Sequence, residues 1–356
     1  MSKKDQHYVP QAYLKAWEVS AGSQENVEKR GVYYYTGNAR EGELRNRDSI
    51  LWSPHLYTVS FDQAFIGRGC PKIYSDFVEK IFDLMHNRAP QAVYAKYGYS
   101  IITTKQSIRK HMNNIDDWEF YYEDGNKARN KAILNSIHGL NSYILEDGFD
   151  LKFESKWQDT LLWFIQQLHE PKRRRREGKD QYVEFDAEIA YDIFAFFLMM
   201  QCRNPRFNGI GVLAWLDKTL QGVFEGETET MIQAVWYSEL YRMLFQNNRG
   251  FYNNTLKSAM EHCQMICFEA KEGVGTFITS DNPSFLHQST APEQVNRTGY
   301  VFPISPKHLL FMGRGTGKFS TMMYRMAEEK DVKIFNGMIY QARQQAFISS
   351  EQFFER

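Results

Sequence analysis

The spacing of apolar positions changes along the chain, and the change suggests two unlike parts. Tyr13, Leu14 and Trp17 share one face just after Pro10, where a helix can begin, which predicts a short helix. Residues 31–36, Gly-Val-Tyr-Tyr-Tyr-Thr, predict a strand rich in β-favouring rings. Ile73, Phe77, Ile81 and Leu84 form a stripe that predicts a helix over 71–97, ended by Gly98. More helices are predicted over 127–145, 155–170, 186–201, 213–224 and 230–246, and a short one follows Asn254. The 186–201 segment is apolar nearly all round (Ile193, Phe194, Phe196, Phe197, Leu198, Met199), so it should lie buried at the centre.

Beyond that point the period shortens. Runs at 265–270, 276–279, 300–304 and 309–313 read as strands of one antiparallel sheet packed on the 186–201 helix, and a helix over 332–346 closes the chain. Residues 99–125 are polar and mixed, and read as a peripheral insertion with little to bury. The expectation is an α+β protein. Its N-terminal and central part, 1–254, is predominantly helical, and 255–356 supply a small antiparallel C-terminal sheet and a closing helix.

Composition adds exclusions. The 356 residues carry 43 basic and 43 acidic side chains, so the chain lacks the basic excess expected of a general duplex-DNA coat. The first residues show no apolar run of the signal-peptide kind. Ile189 to Cys202, the most apolar stretch, is too short to span a bilayer and contains Asp192. Four irregularly spaced cysteines make no disulfide framework. These features together predict a cytoplasmic protein without membrane contact.

Three polar groups stand at predicted element ends. His7 precedes the first helix, where the dipole favours a neutral imidazole able to accept a proton; a simple structural hydrogen bond is the competing reading. Gln201-Cys202-Arg203-Asn204-Pro205 ends the apolar helix, and its Arg203 either caps the negative end of the helix dipole or presents a fork, which serves anion sites and buried ion pairs alike. Thr279-Ser280-Asp281-Asn282-Pro283 follows a strand, and is either a turn or a presented carboxylate. Other signals fail. Gly313 to Lys318 has Met312 and Phe319 where a phosphate loop needs Gly and Ser/Thr, and His262, Cys263 and Cys267 lack a fourth zinc ligand. Lys172 to Arg176 reads as a solvated loop, or else as a nucleic-acid patch.

Taken together, His7 to Leu14, Gln201 to Pro205, Thr279 to Pro283, Pro303 to Pro306 and Asn336 resemble, in order and over nearly the whole chain, the bacterial domain of unknown function 4238 family. Trp17 stands where that family usually has Phe. The resemblance implies a single family domain, a bacterial origin and a shared polar site, with no established activity. The corresponding expectation is a hydrolase of a phosphodiester or nucleotide-like anionic substrate. His7, Arg203 and Asp281 would be catalytic, and Gln201, Ser280, Asn282 and Asn336 would bind substrate. A divalent metal ion would have Asp281 as its only candidate ligand. The alternative is a non-catalytic module for a small anionic ligand or a protein partner; nucleic acid is a further possible partner.

Overall fold

A computed structural model of the chain describes residues 5–22, 28–66, 70–87, 91–204, 228–245, 251–287, 298–315 and 318–354. The central helix, Ala187–Arg203, behaves as its composition demands: twelve of its residues are buried. It rests on one face of a seven-stranded sheet. In spatial order the strands are Arg174–Glu177, Asp180–Glu184, Thr321–Ala327, Cys263–Ala270, His308–Arg314, Gly299–Pro303 and Phe285–His287. Neighbours run antiparallel except Cys263–Ala270 and Thr321–Ala327, which are parallel. The sheet is therefore mixed.

Strand alternation sorts side chains between two cores. Met265, Cys267, Leu310, Met312 and Met322 face the helical layer. There Phe194 packs on Phe319, Phe197 on Tyr300 and Phe302, and Trp157 stacks on Phe196 at 3.9 Å. Ile266, Val301, Leu309, Phe311 and Met323 face the opposite way. They meet Phe277, Ile278 and the last helix, Glu329–Ala342, through Val332 and Ile339. They also meet a second sheet, whose strands Thr279–Ser280, Ala346–Ser349, Glu28–Thr36 and Val19–Gly22 lie in that order, with Glu43–Arg45 on Glu28–Thr36. Each large apolar side chain so buried contributes roughly 1.5–3 kcal/mol.

This architecture corrects the expected fold class. The protein is not a predominantly helical body with a small antiparallel sheet at its C-terminal end. Among the strands that escaped the pattern, three did so for evident physical reasons. Arg174–Glu177 holds no apolar residue, so an edge strand of the sheet resembles a solvated charge run. Thr321–Ala327 is methionine-rich, a composition that signals neither period. Ala346–Ser349 is only four residues, all buried, and begins at the last residue of the expected closing helix; that helix stops at Ala342. The 276–279 run also leaves the expected single sheet, because Thr279–Ser280 pairs with Ala346–Ser349. Both sheets join segments from either side of residue 254.

Elsewhere the helix expected over 71–97 is Pro71–His86 followed by a strand, Val93–Tyr97, and the one expected over 127–145 breaks after His138. The predicted 213–224 helix lies outside the described residues. Residues 99–125 bury Ile102, Ile108, Met112, Ile115, Trp118 and Phe120, so their mixed polarity is amphipathic patterning. No helix among the described residues is long and apolar enough to cross a membrane.

Candidate functional site

The N-terminal segment is moored by its rings. Tyr13 donates its hydroxyl to the Pro303 carbonyl at 2.6 Å, and Trp17 Nε1 donates to the Phe277 carbonyl at 2.9 Å. That mooring brings His7 and Tyr8 to the end of the central helix and the 279–283 turn. The Arg203 charge reaches His7, and the Asp281 charge reaches Tyr8.

The polar residues of these segments are engaged internally. Asp281 is buried, and its carboxylate accepts from the backbone N–H groups of Gln344 (2.7 Å), Gln345 (2.6 Å) and Ala346 (3.1 Å). Asn282 donates to the Ala342 carbonyl and accepts from Asn204 Nδ2, while Asn204 accepts from Gln344 Nε2. Ser280 Oγ accepts from the Asn282 amide, and Gln201 donates to Ser284. Asn336 spans Ile278 N and the Thr276 carbonyl, tying the last helix to the strand region. Arg203, 1% exposed, pairs with Glu154 and with Glu146 at 3.2 Å. Its guanidinium lies 4.7 Å from the Phe149 ring centre and 5.5 Å from that of Tyr57. The chain brings the expected residues into one region, but Arg203 and Asp281 each act on internal partners there.

His7 is buried, and the Gln11 amide donates to its Nε2 at 3.2 Å. Burial first, and Arg203 second, push its pKa down to about 4. The unfolded chain, with histidine near 6.5, therefore takes up the proton first as pH falls. Stability attributable to His7 should be complete above pH 6.5 and lost between 6.5 and 4, a loss of about 3 kcal/mol. Urea midpoints at pH 7 and pH 4.5 should differ less in His7→Gln than in the unaltered protein. An unchanged difference would rule His7 out as the source.

A second cluster was not anticipated. The helix Ser155–His169 ends at His169 over one end of the large sheet. Glu269 and His308 are directly paired across adjacent antiparallel strands, on the face that carries Met265, Cys267 and Leu310. One ligand atom from each of His169, Glu269 and His308 lies within 4.8 Å of the others. Glu269 Oε1 is 3.6 Å from His169 Nε2, and Glu269 Oε2 is 3.9 Å from His308 Nε2. His308 is buried, and among the described residues its Nε2 has no hydrogen-bond partner. Burial pushes its pKa down to about 4, so the ring is neutral. Its Nδ1 bonds Ser305 Oγ at 2.8 Å, and Tyr324 donates to Glu269 Oε2 at 2.8 Å. The negative end of a helix dipole adds to this, since a cation is stabilised there.

Such a group can chelate a cation. Ligands about 2.1 Å from a tetrahedral ion stand roughly 3.4 Å apart, so this group needs only modest closure, most of it available to the exposed His169. For His308 to ligate through Nε2 its proton must sit on Nδ1 and be donated to Ser305, whose Oγ now accepts from the Lys307 and His308 backbone N–H groups and would have to release one of them. Sequence reasoning missed the cluster because its members are distant from one another and individually unremarked. The available signal was strand alternation: Glu269 puts a carboxylate on the otherwise apolar face of its strand.

Fold and site together define a mixed-sheet protein whose polar helix-end network is internal and whose His-Glu-His group forms a candidate cation centre. Over residues 5–352 the chain matches the family described as "Protein of unknown function (DUF4238)", and it belongs to that family. No curated protein and no solved structure matches it.

Proposed function

We propose that the protein is a metal-dependent hydrolase whose ion is held by His169, Glu269 and His308. The observation that carries this reading is the buried Nε2 of His308, unpartnered among the described residues and set with two other ligand atoms within 4.8 Å. An orphaned polar atom in a packed interior is costly, and a metal ion would satisfy it. Two histidines and one carboxylate leave a coordination position for water, and a bound divalent ion lowers the pKa of that water enough to supply hydroxide near neutral pH. His7, Arg203 and Asp281 then serve as an internal latch and not as the reacting groups. A second reading, a binding module without turnover, is favoured by the saturation of Asp281 by three backbone donors.

Dialysis against zinc, followed by metal analysis and calorimetric titration, tests the proposal. One equivalent should bind, and His308→Ala or Glu269→Gln should weaken binding ~100-fold or more while the fold persists. Zinc-dependent cleavage of bis(p-nitrophenyl) phosphate should be lost in the same variants. Zinc binding without any ester cleavage would favour the binding module. A preference for iron(II), which the same ligand set also accommodates, would overturn the hydrolytic assignment.

A further inference from the structure

The run Lys172 to Arg176 is not used by the centre's ligand set, yet one of its members touches that centre. Arg174 begins the edge strand Arg174–Glu177. Its Nε donates to the Leu168 carbonyl at 3.0 Å, and its guanidinium lies 5.0 Å from the ring centre of Tyr324, the residue that donates to Glu269. Its Nη2 lies 3.3 Å from His169 Nδ1. A guanidinium can only donate, so in that contact Nδ1 is the acceptor and the imidazole proton sits on Nε2. Neighbouring cations are already committed: Arg173 pairs with Glu170 and Asp186, and Arg175 with Glu177.

This arrangement and metal ligation exclude each other. For His169 to coordinate through Nε2, its proton must move to Nδ1, with no net gain or loss of protons. Nδ1–H then faces Arg174 donor to donor, and the ion adds like-charge repulsion. The bond to Leu168 and the stacking on Tyr324 still hold the guanidinium stem in place. What is released is the Nη edge of a planar fork, beside an ion with an open position. A fork next to a cation is the arrangement that binds a tetrahedral oxyanion, one oxygen on the metal and others on the two N–H groups.

We propose that Arg174 is the oxyanion-binding arm of this centre, restrained by His169 without metal and freed by metal capture, so that metal and a phosphate group bind cooperatively. The inference rests on the metal-centre reading and names the substrate class of that site as phosphate monoesters, diesters or free phosphate. Coupling between the ligands is reciprocal, so each should tighten the other by the same factor.

The experiment titrates the full-length protein with micromolar cobalt(II), following its visible absorption, alone and with millimolar inorganic phosphate. A parallel arm replaces phosphate with a short single-stranded oligonucleotide. In the unaltered protein either anion should tighten cobalt roughly tenfold. The anion effective at the lower concentration identifies the source of the phosphate. Arg174→Met keeps an apolar stem on Tyr324 but has no donor. It should bind cobalt alone as tightly as the unaltered protein or a few-fold tighter, with the anion effect abolished. Arg174→Lys, a point charge without the fork, should restore part of it. Retention of full coupling in Arg174→Met overturns the arm while leaving the metal centre intact. Weaker cobalt binding in a folded Arg174→Met, in the absence of anion, would also overturn it, since the arginine would then support the ligands. Absence of cobalt binding in the unaltered protein removes both readings.

Discussion

Arg203→Met should lower stability by about 3–5 kcal/mol, the usual cost of removing one member of a buried ion pair. The guanidinium is 1% exposed and faces Glu146 and Glu154, which are themselves largely covered. Without it, two carboxylates confront each other beside Phe149 and Tyr57 with no cation between them. Burial already raises the pKa of Glu146, and Arg203 is the main influence opposing that rise. Urea unfolding should therefore show a lower midpoint with an unchanged slope. Adding Glu146→Gln and Glu154→Gln should recover part of the loss, because the uncompensated charges disappear with them. Arg203→Lys should remain well below the unaltered protein, as a single ammonium cannot replace a fork that spans two carboxylates. Equal stability of Arg203→Met and the unaltered protein would contradict a structural role for the pair.

Asp281→Asn should cost a comparable amount, about 3 kcal/mol or more. The native carboxylate accepts three backbone N–H groups, and hydrogen bonds to charged groups are worth roughly 1.5–3 kcal/mol each. An amide offers one oxygen, and its NH2 turns a donor toward at least one N–H. The damage should spread to Ala346–Ser349, the strand that follows directly and joins Thr279–Ser280 to Glu28–Thr36. Hydrogen exchange should find that strand's amides less protected before the rest of the sheet is affected. Should the variant melt normally and yet lose an activity, Asp281 would return as a catalytic group.

These two residues show what the sequence reveals and where it stops. Polar groups at the ends of apolar elements stand out in the sequence, but a carboxylate aimed at a ligand and one aimed at three backbone amides have the same spelling. For Arg203 a cap on the helix dipole and a fork for an anion are equally compatible with the sequence, and Glu146 and Glu154, its partners in the structure, lie some fifty residues away with no pattern to link them. The central helix and the strands Cys263–Ala270, Gly299–Pro303 and His308–Arg314 were legible because continuous apolar runs leave few alternatives. Arg174–Glu177 was not, since an edge strand can be held by backbone pairing alone. The His-Glu-His cluster depends on strand register, Glu269 opposite His308, and register is a property of two segments at once.

The pairing of Glu28–Thr36 with Ala346–Ser349 has a consequence for synthesis. A strand made among the first forty residues finds this partner only when the ribosome has all but finished the described chain. At 5–20 residues per second the interval is roughly fifteen seconds to a minute. Through that time Tyr33, Tyr34 and Tyr35 lack the neighbour that covers them, and a nascent strand with an open edge is an invitation to pair with another chain. Until synthesis reaches residue 346, that edge of the nascent strand is open to other chains.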